Sequence, residues 1–325
     1  MSAKSRLLPP AHIPTTLWDR SSETLTLPSA LASAYERLIH RLGLHATATT
    51  RVKGVGAVGG LSKESADQHL AQAFDGSAAR VMLAALDPRT ELGPTSDSFI
   101  QSTAGASLAL TDAPCGAAAA ALAFLTVLAE LRAKRVLPRL PLDVKFVGGE
   151  LSPHAIAHAQ QLFGELLGEL EAQAIFVDCQ FHVWNVLESL STADLVKASL
   201  LHGSSCTFKL LVIANFNGFL VKDKKQSDAQ PQLDELLRYA SGEQSLALWI
   251  EPEMNRSTGS GGLFSWLLGL LQSKWRLFAR SVPGATEDAP GFCSEARFRL
   301  PLAPAETSRV KLAVMSIDLT RAGSR

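Results

Sequence analysis

The segment LTDAPCGAAAA, residues 110–120, places an acid, a tight turn and a helix in the order that nucleotide-binding sites use. Asp112 ends a β-prone run, and Gly116 permits close approach of the backbone to a ligand. The alanine run predicts a helix whose first N–H groups are free to bind ligand atoms. A second β-prone run ends at Glu150, where a carboxylate can accept hydrogen bonds from two ribose hydroxyls. The two acids therefore predict a nucleotide-cofactor site.

A second glycine-rich segment, GVGAVG at residues 54–59, matches the GxGxxG pattern. It follows a short β-prone run, but its helix leads into another helix, and no second strand with a terminal acid follows. A connection in which the glycines supply unusual backbone angles is the simpler interpretation, and a segment that folds over the active site is an alternative. The loop at residues 112–117 is therefore the favoured cofactor loop.

The elements that must position this loop change in pattern near residue 100. An irregular arm is predicted over residues 1–28, followed by helices over 29–44, 64–74 and 77–88, with a turn, DGS, between the last two. We expect residues 1–100 to form a helical cap that determines the substrate, and residues 101–325 to form the cofactor domain.

After Ser102, apolar strands alternate with helices. The predicted strands are SLALTD (107–112), LDVKFVGGE (142–150), AIFVDCQFHVW (174–184), FKLLVIANF (208–216), SLALWIEP (245–252), SEARFRLPL (294–302) and SRVKLAVMSIDL (308–319). The first five indicate a parallel sheet covered on both faces, and the last two, joined by a turn at 303–307, indicate an antiparallel pair. The predicted fold class is α/β, a Rossmann-like, mostly parallel seven-stranded sheet with a C-terminal antiparallel hairpin, preceded by a helical N-terminal region.

Two of these segments together resemble a known family. LTDAPCGAAAA, followed by VKFVGGELSPHAIAHAQQLF at residues 144–163, resembles the first two motifs of class I S-adenosylmethionine-dependent methyltransferases. The resemblance covers roughly residues 105–319, and the C-terminal hairpin separates this family from the dinucleotide dehydrogenases. It implies S-adenosyl-L-methionine as cofactor, held by these residues: Asp112, Pro114, Cys115, Gly116 and Ala117 at the methionine part, Glu150 at the ribose, and Leu151, Trp184 and Asn185 at the adenine.

The resemblance also implies that Asn215 and Phe216, which end the fourth strand, face the methyl-transfer site. ANFNGF is weakly similar to the Asn-Pro-Pro-Tyr/Phe motif of amine methyltransferases, in which Asn215 would hold the target amine and Phe216 or Phe219 would stack on it. Both prolines are absent, and an asparagine that caps the following turn is the alternative. Two further departures, Ala118 for the third glycine and an amide at Asn185, leave open a non-catalytic member.

Other reactive side chains are weaker candidates. Cys115, Cys179 and Cys206 are possible nucleophiles for carbon methylation, although buried cysteines are common in α/β cores. His154 and His158 have the i, i+4 spacing of metal ligands but lack a third ligand, so no metal is predicted. The remaining segments are VKDKKQ (221–226) and SKWRLFAR (273–280), which would guide an anionic substrate or simply be solvated, and NRSTGSGGLFSW (255–266), whose position suits a substrate lid.

Composition limits the function classes. Lys+Arg and Asp+Glu are equal at 31 each, which argues against nucleic-acid binding by bulk charge. The four cysteines form no CxxC pair, which disfavours zinc, iron–sulfur and disulfide frameworks. A polar, proline-broken start and the lack of long apolar runs predict a cytoplasmic protein outside the membrane.

We therefore expect methyl transfer from S-adenosylmethionine to an unidentified acceptor, either RNA or another nucleic acid or a small molecule. The alternative is a catalytically inactive binding or assembly subunit that contacts RNA or a partner protein. A dinucleotide oxidoreductase ranks third, because of the terminal hairpin and the imperfect glycines.

Overall fold

The computed structural model of the protein describes residues 6–50, 60–92, 95–222, 224–252 and 291–320. Its strands are β1 (Trp18–Asp19), β2 (Thr24–Leu25), β3 (Ser107–Asp112), β4 (Leu142–Glu150), β5 (Ile175–Val183), β6 (Phe208–Ala214), β7 (Ser245–Glu251), β8 (Gly291–Leu300) and β9 (Ala303–Asp318). Its helices are α1 (Ser29–Arg41), α2 (His45–Thr49), α3 (Lys63–Leu86), α4 (Thr95–Ser102), α5 (Ala119–Ala133), α6 (Pro153–Glu171), α7 (Ser189–His202), α8 (Asn217–Lys222) and α9 (Gln226–Ala240).

The strands form one sheet in the order β1-β2-β8-β9-β7-β6-β3-β4-β5. The five strands from β3 to β7 are mutually parallel, and β9 lies antiparallel between β7 and β8. The predicted α/β class, the mostly parallel sheet and the C-terminal antiparallel hairpin are confirmed. The fold is a Rossmann-like α/β sheet.

Within the described residues the sheet has nine strands rather than seven, because part of the predicted irregular arm joins it. Trp18 and Asp19 pair antiparallel with Leu25 and Thr24, and β2 then adds parallel to β8. Strands of two residues are too short to produce an alternating pattern, so the sequence contains no signal for them.

The turn of the C-terminal hairpin lies earlier than predicted. Leu300 pairs with Ala303 and Arg299 with Thr307, so residues 303–307 belong to β9 and the turn is formed by Pro301 and Leu302. Pro301 has no N–H to contribute to the ladder and fits a turn better than a strand.

Helices cover both faces of the sheet and bury two apolar clusters. One cluster lies under α1, α3, α5 and α6, and the other lies under α7, α8 and α9. The alanine-rich start of α5 is almost wholly buried, because small side chains let α3 pack closely against it. The N-terminal helices therefore share a core with the sheet, while the functional division at residue 100 stays a prediction. No described helix is both long and apolar enough to cross a membrane.

Helix α3 is continuous from Lys63 to Leu86, so the predicted break at residues 75–77 is wrong. Phe74, Ala78 and Met82 are buried along one side of α3, and they continue the apolar seam across Gly76. This packing outweighs the cost of about 1 kcal/mol that a glycine adds within a helix.

The sequence also predicts two helix starts, a Ser-Pro start at residues 152–153 for α6 and a capping serine at Ser191 for α7. Ser152 caps α6 by accepting from the Ala155 N–H at 3.3 Å, and Pro153 is its first residue, as expected. Helix α7 instead begins at Ser189 with Glu188 in the capping position. Ser191, the predicted cap, accepts a hydrogen bond from the Asn185 N–H at 2.8 Å and so orders the preceding loop.

Candidate functional site

Four polar side chains lie where parallel strands end at one edge of the sheet. Asp112 ends β3, Glu150 ends β4, Asn215 follows β6 and Glu251 ends β7. In open α/β sheets, ligands bind at the carboxyl ends of the strands. This edge is therefore the candidate site, and we call it the strand-end site.

Asp112 is fully buried, and neither of its carboxylate oxygens has a hydrogen-bonding partner. Burial raises the pKa of Asp112 to about 8, and the nearby Glu150 carboxylate raises it further; the Ala121 N–H, which is near the carboxyl but outside hydrogen-bonding geometry, opposes this rise. Buried polar groups are nearly always satisfied in folded proteins. The two unsatisfied oxygens of Asp112 therefore suggest a ligand group that pairs with them.

Glu150 connects the loops that follow β3 and β4. Its Oε2 accepts from the Gly116 N–H at 3.0 Å, and its Oε1 accepts from the Ser152 N–H at 2.9 Å. Burial raises the pKa of Glu150, against the effect of these two bonds. Each carboxylate oxygen has two lone pairs, so both oxygens retain capacity for a ligand. Leu151, between the two loops, is half-buried.

The loop after β3 packs tightly on the end of β4. The Cys115 N–H donates to the Gly149 carbonyl oxygen at 2.9 Å. A Cβ at Gly148 would lie 3.0 Å from Cys115 Sγ and 2.9 Å from the Phe181 ring, so this position needs a glycine. Gly116 has φ +54°, a conformation that glycine adopts without strain. The predicted loop from Pro114 to Ala117 is thus held against the strand-end site by backbone contacts.

The cysteines are poor nucleophiles in this environment. Burial raises the pKa of Cys115 well above its usual value, and burial raises the pKa of Cys179 to about 12. The pKa of Cys206 is also raised by burial. Since the thiolate is the reactive form, these shifts disfavour carbon methylation through a cysteine.

Ala118, which stands at the third glycine of the motif, has φ +60° and precedes α5 in the left-handed conformation. That conformation costs an alanine about 1 kcal/mol or more. The backbone at Ala118 therefore has the geometry that a glycine at this position would adopt without strain.

We expect Ala118→Gly to change the unfolding free energy by less than about 1 kcal/mol, because relief of the left-handed strain offsets the loss of a buried methyl group. Ala121→Gly is the matched control, because Ala121 is equally buried but lies inside α5. The control variant loses about 1 kcal/mol in helix propensity as well as the methyl group. Urea denaturation of both variants tests this, and equal losses would show that Ala118 is unstrained.

Trp184 and Asn185 follow β5 and are engaged by protein atoms. Trp184 is buried, and its Nε1–H donates to Thr192 Oγ1 at 3.0 Å. The Asn185 side chain donates to Glu188 Oε1 at 2.7 Å and accepts from the Leu187 N–H at 3.1 Å. Both amide atoms of Asn185 thus stabilise the turn before α7, and its contact with adenine stays a prediction.

Asn215 and Phe216 face different surroundings. Asn215 has φ +57°, and its Oδ1 accepts from Arg80 Nε at 2.8 Å. Phe216 is buried in the cluster beneath α7 and α8, where its ring lies 6.0 Å from that of Trp184 and 5.9 Å from that of Phe219. Asn215 therefore lies at the strand-end site, whereas Phe216 supports it from the core.

Glu251 belongs to the strand-end site but was not among the predicted residues. Its Oε1 accepts from Trp249 Nε1 at 2.7 Å and from the Phe216 and Asn217 N–H groups at 2.9 Å. Burial raises the pKa of Glu251, against these hydrogen bonds and the Arg80 charge. Glu251 could have been identified from the sequence, because it is an acid at the end of a predicted strand. No sequence pattern indicates a role for Arg80 at this site, because it lies in a helix 135 residues before Asn215.

His158 has a structural partner. Its Nε2 lies 2.9 Å from Asp67 Oδ1, and Lys63 Nζ contacts the other oxygen of Asp67 at 2.5 Å. Burial lowers the pKa of His158, although Asp67 opposes this. The contact connects α3 to α6 inside the core. Within the residues described, no group of three or more histidine, cysteine or acidic side chains is arranged to hold a metal ion.

Three segments singled out in the sequence lie outside the described residues: GVGAVG at 54–59, the proposed lid NRSTGSGGLFSW at 255–266, and SKWRLFAR at 273–280. The basic segment at 221–226 is described in part. There, Lys225 Nζ lies 4.8 Å from the centre of the Phe219 ring.

Comparisons with known proteins give distant similarities. No protein-family model matches the chain, and no curated protein matches it. The glycopeptide N-methyltransferase MtfA, complexed with (S)-adenosyl-L-methionine, is 9% identical with a TM-score of 0.30, covering 68% of this chain and 85% of that chain. A putative class I S-adenosylmethionine-dependent methyltransferase from Listeria monocytogenes is 12% identical with a TM-score of 0.32, covering 91% of this chain and 86% of that chain. At such TM-scores, neither similarity establishes a function for this chain.

Proposed function

We propose that this protein binds S-adenosylmethionine at the strand-end site and transfers its methyl group to an acceptor. The observation that carries the proposal is Asp112, a fully buried carboxylate whose two oxygens have no partner. The amino group of the cofactor's methionine part is a cation that would satisfy it. The residues present therefore fit this cofactor.

Glu150 is proposed to hold the ribose. Its two oxygens already accept from Gly116 and Ser152, which fixes the carboxylate between the two loops. Its remaining lone pairs are available to two neighbouring hydroxyl groups. Leu151 and the residues after β5 complete the adenine side.

S-adenosylmethionine supplies an activated methyl group, so the protein's contribution is positioning more than chemical activation. Asn215 follows β6, the neighbour of the strand that carries Asp112, and Glu251 ends β7, which is the next strand beyond β6. We assign these two residues to the acceptor side. The acceptor is an RNA or other nucleic acid, or a small molecule.

Calorimetric titration of the full chain with S-adenosylmethionine, and separately with NAD, tests the proposal. We expect micromolar binding of S-adenosylmethionine and none of NAD. Glu150→Ala removes the proposed ribose contact and the two loop hydrogen bonds. The affinity of this variant for S-adenosylmethionine should therefore be at least about tenfold lower than that of the wild type. Glu165→Ala is the control, because the partners of Glu165 among the described residues are Arg37 and Arg41, which are not part of the strand-end site. Binding of NAD alone, or equal binding by both variants, would contradict the proposal.

The second candidate is a binding or assembly subunit with this fold and no activity. The engagement of both Asn185 amide atoms in a turn, and the alanine at position 118, favour it. Absence of S-adenosylmethionine binding by the folded wild type would support this candidate. Acceptor screening would then be replaced by a search for RNA or protein partners.

A further inference from the structure

Arg80 reaches the strand-end site from α3, in the N-terminal region. Its Nε lies 2.8 Å from Asn215 Oδ1, and its Nη2 lies 3.2 Å from Ser77 Oγ. Because an arginine N–H can only donate, the Asn215 atom that faces it is the amide oxygen. This contact therefore determines which way the Asn215 amide points.

The other end of this amide is Nδ2, with two N–H donors. Within the part of the chain that the structure describes, Nδ2 makes no hydrogen bond. It is also not one of the buried polar atoms that lack a partner. Asn215 is half-buried at the carboxyl end of β6, where a ligand of this fold would lie. Its two donors are therefore available to a bound molecule.

A second atom in the same turn also lacks a partner. Asn217 Oδ1 is buried and accepts no hydrogen bond, although the Asn217 N–H donates to Glu251. A buried polar atom of this kind is usually satisfied by water or a ligand. The turn after β6 is thus incomplete without a polar group from outside.

The charges around this turn limit what that group can be. Burial lowers the pKa of Arg80 to about 10, while Glu251 and Asp75 stabilise its charged form. One cation thus lies near two carboxylates, so an additional anion would be repelled. A neutral group is favoured.

We infer that Arg80 is a positioning residue that turns the Nδ2 hydrogens of Asn215 toward the substrate that accepts the methyl group, and that this substrate carries a neutral hydrogen-bond acceptor, such as a carbonyl, which binds these hydrogens and is not itself methylated. The inference rests on the proposed function, because only methyl transfer makes the bound molecule a substrate that accepts a methyl group. It differs from a role for Asn215 in holding an amine, because that role would use the amide oxygen, which already accepts from Arg80, rather than the two Nδ2 donors.

The chain has four asparagines, namely Asn185, Asn215, Asn217 and Asn255. Selective labelling with ¹⁵N-asparagine therefore gives four side-chain NH₂ signals, which single substitutions assign. The probes are benzamide, benzoate and benzylammonium, added separately to the full chain. All three contain a benzene ring. Benzamide offers a neutral hydrogen-bond acceptor, benzoate offers an anionic acceptor, and benzylammonium offers hydrogen-bond donors only.

Benzamide is expected to shift the Asn215 NH₂ signal more than benzoate at equal concentration, and benzylammonium should leave it unchanged. Asn215→Asp retains an oxygen for Arg80 but removes the donors, so the Kd for benzamide, followed at Asn217, should rise roughly three- to tenfold. Arg80→Lys keeps the charge but not the planar fork, and should move the Asn215 signal. The control variant Arg37→Lys changes a surface ion pair with Glu165 and should leave the Asn215 signal unchanged.

A shift of Asn215 by benzylammonium but not by benzamide would overturn the inference, as would unchanged Asn215 signals in a folded Arg80→Lys variant. If Arg80→Lys does not fold, the wild-type titrations and Asn215→Asp decide. Titration of the same sample with S-adenosylmethionine separates the two proposals. Cofactor binding without the expected Asn215 shifts rejects only this inference, whereas absence of cofactor binding rejects the proposed function.

Discussion

On the proposed function, S-adenosylhomocysteine is expected to bind this protein more weakly as the pH falls below 8, by up to about tenfold for each pH unit. Burial raises the pKa of Asp112 to about 8, so below that pH its carboxyl is mostly protonated in the free protein. The ligand's amino cation pairs with the ionised form, so binding must release a proton. The affinity should therefore level off above pH 8.

Calorimetry in two buffers of different ionisation enthalpy measures this release, which should be about one proton per ligand at pH 7. The ligand in this experiment is S-adenosylhomocysteine rather than S-adenosylmethionine, because the sulfonium of S-adenosylmethionine perturbs the ionisation of its own amino group. Asp112→Asn should weaken binding at pH 8 and abolish the proton release. Unchanged proton release in this variant would assign the pH dependence to another group.

The same variant should stabilise the free protein. An acid whose pKa is raised by folding binds more protons in the folded state, so stability is greatest at low pH and falls as the pH rises from about 4 to 8. Asp112→Asn removes this loss, and we expect a gain of about 1–2 kcal/mol at pH 8. Urea denaturation at pH 5 and pH 8 measures it, and a gain confined to pH 5 would have the wrong sign.

The second large effect is expected at Arg6, whose Nη1 lies 2.8 Å from Asp87 Oδ2. Asp87 is fully buried at the C-terminus of α3, and its side chain also accepts from the Glu91 N–H at 2.8 Å. Burial raises the pKa of Asp87 while Arg6 opposes this rise. Arg6→Met leaves a buried carboxylate without its cation and should cost about 3 kcal/mol of unfolding free energy at pH 7.

Without Arg6, protonation of Asp87 relieves the cost, so the loss should shrink as the pH falls toward 4. Asp87→Asn in the Arg6→Met background should recover part of the loss, and the double-mutant cycle isolates the pair. Denaturation curves of the four proteins at pH 4 and pH 7 provide the test. A loss independent of pH would mean that Arg6 does not act through the Asp87 carboxylate.

The sequence predicted those parts of the site that depend on local pattern. Asp112 and Glu150 end apolar runs, and strand ends can be recognised without knowledge of the fold. Their proximity then follows from the pairing of β3 with β4. The Ser-Pro start of α6 was predictable for the same reason, since capping is a local property.

The contacts that depend on tertiary packing were not predictable. Arg80 contacts Asn215 because α3 packs on the sheet. Polar and apolar residues are mixed around α3, so its sequence does not predict which face is buried. The continuity of α3 through Gly76 depends likewise on burial against α5. The short strands β1 and β2 exist because the edge of β8 offers them partners.

The pairing of β2 with β8 also bears on how the chain is made. Thr24 and Leu25 lie opposite Arg297 and Phe298, so residues from the two ends of the chain share one strand edge. During synthesis, which proceeds from the N-terminus, the first strands leave the ribosome long before their partner exists. Strand β2 therefore has no β8 partner until Phe298 has been synthesised, which makes this edge one of the last parts of the sheet to form.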